Sequence, residues 1–233
     1  MCGRFSRTNS KKELQGRFEF DDPDDVLLEP RYNIAPTQMH PVVVVEGDRR
    51  VIRLMKWGLV PYWSKDEKIG YRMINARAEG IEQKPSFKNP LGNRRCLVVT
   101  NGFYEWKKVD SKTKVPYFIR LRSGEPFAFA GLWDRWDKGK EPLLTFTIIT
   151  TENNELIAPV HNRMPVILYP KDEAVWLDPE IKNPAKLLPL LKPYPSGEME
   201  MYEVSSLVNS PKNDVPDCIK PVEKGLFAIS HEL

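Results

Sequence analysis

The chain predicts an α+β fold: one mostly-β domain carrying a few short helices. Three observations lead there. Short apolar runs rich in valine, isoleucine, leucine and phenylalanine recur along the chain, bounded by turn residues. Twenty-one prolines against thirteen glycines call for stiff loops and short elements and argue against long helices. The 233 residues contain no internal repeat, low-complexity tract or linker, so residues 1–233 read as one domain, long enough to bury a sizeable core.

The elements follow in order. After strand-like opening residues, Ser10-Lys11-Lys12-Glu13 fits a capping box, in which hydroxyl and carboxylate satisfy the free amides of a helix start. Leu14 and Phe18, four apart, then share a face and predict a helix over residues 11–18. The run Asp21-Asp22-Pro23-Asp24-Asp25 ends it as a solvated loop, lacking the glycine and terminal glutamate of a calcium loop. Pro30 to Thr37 reads as an extended segment pinned by prolines. Pro41 to Val45 and Val51 to Met55, separated by Glu46-Gly47-Asp48, form a hairpin. The second strand runs into Lys56 to Trp63, where Trp57 is expected in the core. Tyr62 and Trp63, following a proline in a loop, are placed to stack on a base. Residues 80–94 read as a polar loop bearing prolines. Arg95 to Val99 is a buried strand, broken by the turn signal Thr100-Asn101-Gly102. Further strands are predicted at Pro116 to Leu121, Phe127 to Leu132, Leu143 to Thr151 and Val166 to Leu168. Two short helices follow, at Lys171 to Leu177 and opening at Pro184, then a strand at Met199 to Val204 and a coil tail.

Composition excludes several classes. A net charge of +3 and a pI of 8.6 neither demand nor forbid a polyanionic partner. Cys2, Cys96 and Cys218 are odd in number and far apart, with only His40, His161 and His231 to join them, which argues against a disulfide framework or a metal site. No run reaches the length of a signal peptide's apolar core or a membrane span. The expectation is a soluble protein of a reducing compartment, with no metal, no cofactor and no membrane.

The chemistry centres on Met1-Cys2-Gly3-Arg4-Phe5. Trimming of Met1 would leave Cys2 as a 1,2-aminothiol, its amine titrating at about 8 and its thiol at about 8.5. Such a pair attacks an aldehyde through nitrogen and closes through sulfur as a thiazolidine. The alternative is an inert cysteine in a frayed terminus. Glu105, between Tyr104 and Trp106, is either a proton shuttle whose pKa burial raises or a strand-end glutamate facing water. His161 is a candidate acid or base, or a structural hydrogen-bonder. Asn75 and Arg77, two apart, point the same way on an extended segment, where an amide can orient a hydroxyl or carbonyl and a guanidinium hold a phosphate; the alternative is a surface strand.

Taken together, Met1-Cys2-Gly3-Arg4-Phe5, Asn75-Ala76-Arg77-Ala78-Glu79, Gly102-Phe103-Tyr104-Glu105-Trp106 and His161-Asn162-Arg163-Met164-Pro165 resemble, in this order, the SRAP family, named for SOS-response-associated peptidase. Arg31 to Thr37, Lys56 to Trp63, Phe129 to Trp133 and the tail residues Val204-Ser205, Val208-Asn209 and Asn213-Asp214 also fit. Val99 and Asn162 depart from the family pattern, where proline and an acidic residue are common. The resemblance implies a barrel-like SRAP fold and a protein that joins covalently to abasic sites in single-stranded DNA. It makes Cys2 the nucleophile, Glu105 the proton handler, His161 an aid to sugar ring opening and Asn75 a positioner of the sugar. Arg77 and Arg163 are implied phosphate contacts, Trp106 an aromatic shaping the DNA path, and Arg4 and Trp63 further DNA contacts. A cytoplasmic location follows, with the nucleoid if the source is bacterial.

Two other readings compete. One is a hydrolase with Cys2 as N-terminal nucleophile, either a peptidase acting on its own Met1 or a glutamine amidotransferase half; the latter would need a synthase domain for which the chain has no room. The other is a non-covalent single-strand binder using Trp63, Trp106 and the arginines.

Overall fold

The computed structural model describes residues 2–222, so Met1 and His231 lie outside the described residues. Strands β1 (Phe5–Arg7), β2 (Arg31–Ile34), β3 (Met39–Glu46), β4 (Arg49–Trp57), β5 (Asn75–Arg77), β6 (Arg95–Thr100) and β7 (Gly102–Lys108) come first. They are followed by β8 (Lys114–Leu121), β9 (Phe127–Trp136), β10 (Leu143–Glu152), β11 (Arg163–Pro165), β12 (Ile167–Leu168) and β13 (Met199–Glu203). Helices α1 (Lys11–Phe18), α2 (Pro85–Asn93), α3 (Pro170–Leu177) and α4 (Pro184–Leu187) are interspersed among them. The fold is the mostly-β domain with short helices that the sequence predicts.

A closed barrel forms the centre. Strands β4, β3, β6 and β9 pair antiparallel in that order, and β10 closes the ring by pairing antiparallel with β9 and parallel with β4. Side chains alternate along each strand, and both faces are apolar. Val42, Val44, Cys96, Val98, Phe129, Phe146 and Ile148 join one core cluster. Their neighbours Val43, Leu97, Val99, Ala128, Ala130 and Ile149 join another, covered by Leu14 and Phe18 of α1, Phe87 and Leu91 of α2 and Trp176 of α3. A strand buried on both faces reads as a continuous apolar run, which is why β6 and β10 stand out so clearly in the sequence.

The second sheet has the order β13-β8-β7-β1-β2. Its Phe5, Ile34, Phe103 and Ile119 pack into the same core cluster as Val42 and Phe146, and Cys2 belongs to that cluster. Phe5 sits edge-on to His40, with ring centroids 4.7 Å apart, which ties the two sheets together.

Local chemistry accounts for the elements. The capping box at Ser10 is present in full, and α1 spans the predicted residues. Its Leu14 and Phe18 are completely buried, each contributing roughly 1.5–3 kcal/mol. Helix α2 occupies residues read from the sequence as loop: Pro85 at its first turn, Pro90 inside and Gly92 mask the Phe87/Leu91 spacing. Pro90 fits because the helix is short and buries the ring. Gly102 is the first residue of β7 instead of part of a turn, and a Cβ there would lie 2.1 Å from the Phe118 ring. Gly58, at φ +125°, turns the chain out of β4 where a side chain would strike the Gly70 carbonyl. The loop beyond it carries Tyr62 and Trp63, both exposed, while Trp57 is fully buried, as expected. The tail after β13 contains short 3-10 turns, Ser206–Asn209 and Pro216–Cys218, where coil is predicted.

Candidate active site

Cys2 sits just ahead of β1, and β1 decides its neighbours. Phe5 pairs with Phe103, and the Tyr104 amide donates to the Arg4 carbonyl at 3.0 Å. The segment ahead of β1 therefore runs alongside β7, which carries Glu105 and Trp106. Cys2 is completely buried, so it is no frayed end. Asn75 reaches it from the barrel: its Nδ2 donates to the Cys2 carbonyl at 2.8 Å. Asn75 is held by pairing with Ile148 of β10 and by the Trp57 indole, whose Nε1 donates to the preceding carbonyl of Ile74 at 2.8 Å. The Asn75 Oδ1 is buried and accepts nothing from the described residues, leaving one polar atom for a ligand's donor.

Glu105 is 4 % exposed, which decides against a strand-end residue facing water. Burial raises its carboxyl above the ordinary glutamate range, with Lys114 of β8 pulling the other way. Burial likewise pushes the Cys2 thiol well above the usual cysteine range, and the nearby Glu105 charge adds to this. Two groups that would both lose protons in water are thus each held toward the protonated form.

His161 lies two residues ahead of β11. Its Nδ1 lies 3.0 Å from the Arg163 amide and 3.2 Å from the Arg163 carbonyl, so the backbone of its own loop holds the ring. Burial lowers its pKa, and the Arg163 and Lys114 charges reinforce the effect, so the ring is neutral at pH 7. The Lys114 charge acts on both His161 and Glu105. Cys2 and Asn75, far apart in the chain, meet where the barrel joins the second sheet, and Glu105 acts on the Cys2 thiol.

Residues 1–211 match the family described as SOS response associated peptidase, SRAP. The chain belongs to the SRAP family. It is 47% identical over 223 residues to "Abasic site processing protein YoqW" of Bacillus subtilis (strain 168), covering 94% of this chain and 99% of that one. It is 34% identical over 272 residues to "Abasic site processing protein HMCES" of Gallus gallus, covering 97% of this chain and 79% of the relative. The crystal structure of a protein from Bacteroides thetaiotaomicron superposes with a TM-score of 0.85 at 30% identity, over 95% of this chain and all of that one.

The remaining expected SRAP site residues fall into distinct environments. Arg77 is exposed on β5, with the buried Ala76 between it and Asn75, so the two face the same way. Arg163 is mostly buried and holds Glu79 in a two-point ion pair, at 2.6 and 2.8 Å, while also donating to the Thr150 carbonyl at 2.6 Å. Trp106 is partly buried, its Nε1 donating to Asn209 Oδ1 at 2.7 Å. The Arg4 guanidinium lies 5.7 Å from the Trp106 ring centroid and donates to Asn33 Oδ1 and the Val208 carbonyl, both at 2.7 Å, so it is turned inward as a strut. Trp63 is 43% exposed, on a loop anchored by Asp134, which accepts from the Tyr62 amide at 2.9 Å. Among the described residues no cluster of His, Cys, Asp and Glu could hold a metal. No helix of the described residues is long and apolar enough to cross a membrane.

Sequence reasoning assigned no role to Asn33 or Asp214. Asn33 is fully buried, and its Nδ2 reaches the carbonyls of Ser210 at 3.0 Å and Asn213 at 2.6 Å. Asp214 accepts from the amides of Tyr32 and Asn33 and from Arg31. These contacts clamp the tail, and with it Asn209, against the wall that carries Trp106. The signal was present in Asn213-Asp214 and Tyr32-Asn33, but nothing in a linear chain links segments so far apart.

Proposed function

We propose that this protein captures abasic sites in single-stranded DNA as a covalent thiazolidine formed by Cys2 once Met1 is removed. The observation that carries the proposal is the buried Cys2 beside Glu105, with its carbonyl held by the Asn75 amide. The names of the relatives, abasic site processing proteins, support the lesion as substrate.

An abasic sugar equilibrates between a closed ring and an open aldehyde. His161, held neutral by burial, assists the transfer of the sugar's C1 hydroxyl proton to the ring oxygen that opens the ring. The freed α-amine of Cys2 attacks the aldehyde carbon, and loss of one water gives the imine. Glu105 supplies the proton that leaves with the hydroxyl, a role suited to a carboxyl whose pKa burial has raised. The sulfur then adds to the carbon of this protonated imine: a C–S bond forms as the C=N π pair returns to nitrogen, and the thiol proton passes to the Glu105 carboxylate, restoring its carboxyl. The order follows from the thiol's raised pKa, since sulfur stays protonated until Glu105 is placed to take its proton. Holding aldehyde and aminothiol in one pocket raises their effective concentration. Asn75 Oδ1 is available to a sugar hydroxyl, exposed Arg77 to a flanking phosphate, and Arg163 to another once its ion pair with Glu79 opens. The site would serve a cytoplasmic protein, nucleoid-associated if bacterial.

The test is a denaturing gel of the Met1-processed protein mixed with a single-stranded oligonucleotide carrying one abasic site, beside Cys2→Ala. A shifted band that survives denaturation and vanishes in the variant is the expected result. With the free N-terminus confirmed by mass spectrometry, the lack of such a band sinks the reading and favours the Cys2 hydrolase.

A further inference from the structure

We propose that Glu79 is a carboxylate gate on Arg163: it holds the guanidinium that a strand phosphate takes, and it must yield before the strand seats. The inference rests on the reading of Arg163 as a phosphate contact.

The geometry is that of a ligand already in place. Glu79 meets Arg163 with both carboxylate oxygens, at 2.6 and 2.8 Å, the two-point match that a phosphate would make with the same fork. The two partners are unequal. The Arg163 side chain is 13% exposed and the Glu79 side chain 58%, so the carboxylate is the end that can swing into water. Arg163 does not depend on Glu79 for its position, because Nη2 also donates to the Thr150 carbonyl at 2.6 Å and its strand pairs with β10 from Glu152 to Thr150. Removing the carboxylate therefore leaves the guanidinium aimed where it was. Glu79 also follows Asn75 and Arg77 at two-residue intervals, and exposed Arg77 supplies a second cation beside the gate.

The consequence is that strand binding is an exchange. Each phosphate taken by Arg163 expels a carboxylate that must then be rehydrated and screened, so the wild-type protein gains less from the contact than an open arginine would. A weak grip on undamaged strands leaves the covalent step at Cys2 to decide where the protein stays.

The experiment measures binding of an intact single-stranded oligonucleotide by fluorescence anisotropy across a salt series. The proteins are wild type, Glu79→Gln, Arg163→Ala and the double variant, with thermal melts confirming that each is folded. Glu79→Gln is expected to bind about 1.4- to five-fold tighter, the range for releasing a half-exposed ion pair. Its plot of log affinity against log salt should be steeper by up to about 0.7, one more single-strand phosphate contact. The double variant should bind no tighter than Arg163→Ala. Unchanged or weaker binding by folded Glu79→Gln overturns the gate, as does a gain that persists without Arg163. If Arg163→Ala alone leaves binding unchanged, Arg163 is no phosphate contact and the gate falls with it. Capture at Cys2 is judged separately by the denaturing gel.

Discussion

Replacing Asn75 by alanine probes a hydrogen bond that joins the barrel to Cys2, the proposed nucleophile. The Asn75 amide is 2.8 Å from the Cys2 carbonyl, and Cys2 is completely buried, so water does not replace the lost donor. A buried acceptor left without its partner costs about 1–3 kcal/mol. If that cost falls on the geometry from which the aminothiol reacts, at 1.36 kcal/mol per decade the rate of adduct formation drops between about five- and 150-fold. The assay is a time course of covalent adduct on a single-stranded abasic oligonucleotide, with affinity for the intact strand measured in parallel. Adduct formation should slow while intact-strand affinity holds, because Asn75 faces Cys2 and the sugar instead of the phosphates. Asn75→Asp, which sets an acceptor against the carbonyl, should be slower still. An alanine variant that reacts at the wild-type rate would refute the reasoning, and so would one that loses intact-strand affinity in proportion.

Other perturbations separate the remaining roles. Glu105→Gln should slow adduct formation at least ten-fold, since the amide neither gives nor takes the imine proton; an unchanged time course removes Glu105 from the mechanism. Arg77→Ala should weaken binding to intact and abasic single strands alike and lower the salt slope by about 0.7; an effect confined to abasic DNA would refute the phosphate assignment. His40 is buried between the sheets, and burial holds its pKa well below the ordinary 6.5. A folded-state pKa below the unfolded one stabilises the fold above pH 6.5. That stability is lost on acidification, by about 1.4 kcal/mol per pH unit until the folded pKa is reached. Denaturant melts from pH 7.5 downward should therefore show wild type losing stability faster than His40→Gln below pH 6.5, and parallel curves would contradict the burial argument.

Much of the fold was legible because local signals agreed. The capping box and the Leu14/Phe18 spacing place α1 without help from elsewhere. The runs at Arg95–Thr100 and Leu143–Glu152 are apolar on both faces, so they announce strands buried on both sides. Where signals conflicted the reading failed, as at α2, where two prolines and a glycine outweighed a helical spacing that packing against the barrel sustains. Glu105 shows a different limit. Whether it faces water depends on β8 and the amino-terminal segment lying against β7, and no property of Tyr104-Glu105-Trp106 encodes that.

By itself, the sequence determined the chemical inventory: a cysteine next to Met1, a carboxylate among aromatics, an amide and a guanidinium two residues apart on a strand, and a lone histidine near an arginine. It also determined the element types wherever propensity and periodicity agreed, because both are local properties. Only the tertiary structure decided what those groups are. The pairing of β1 with β7 brings the amino-terminal segment alongside the strand of Glu105, the pairing of β5 with β10 carries Asn75 to the Cys2 carbonyl, and the same β10 bridges the segments of Glu79 and Arg163. Burial then shifts the acidities of Cys2, Glu105 and His161. Both effects come from segments far apart in the chain, and desolvation acts through whatever surrounds a group in space, which a linear sequence does not specify.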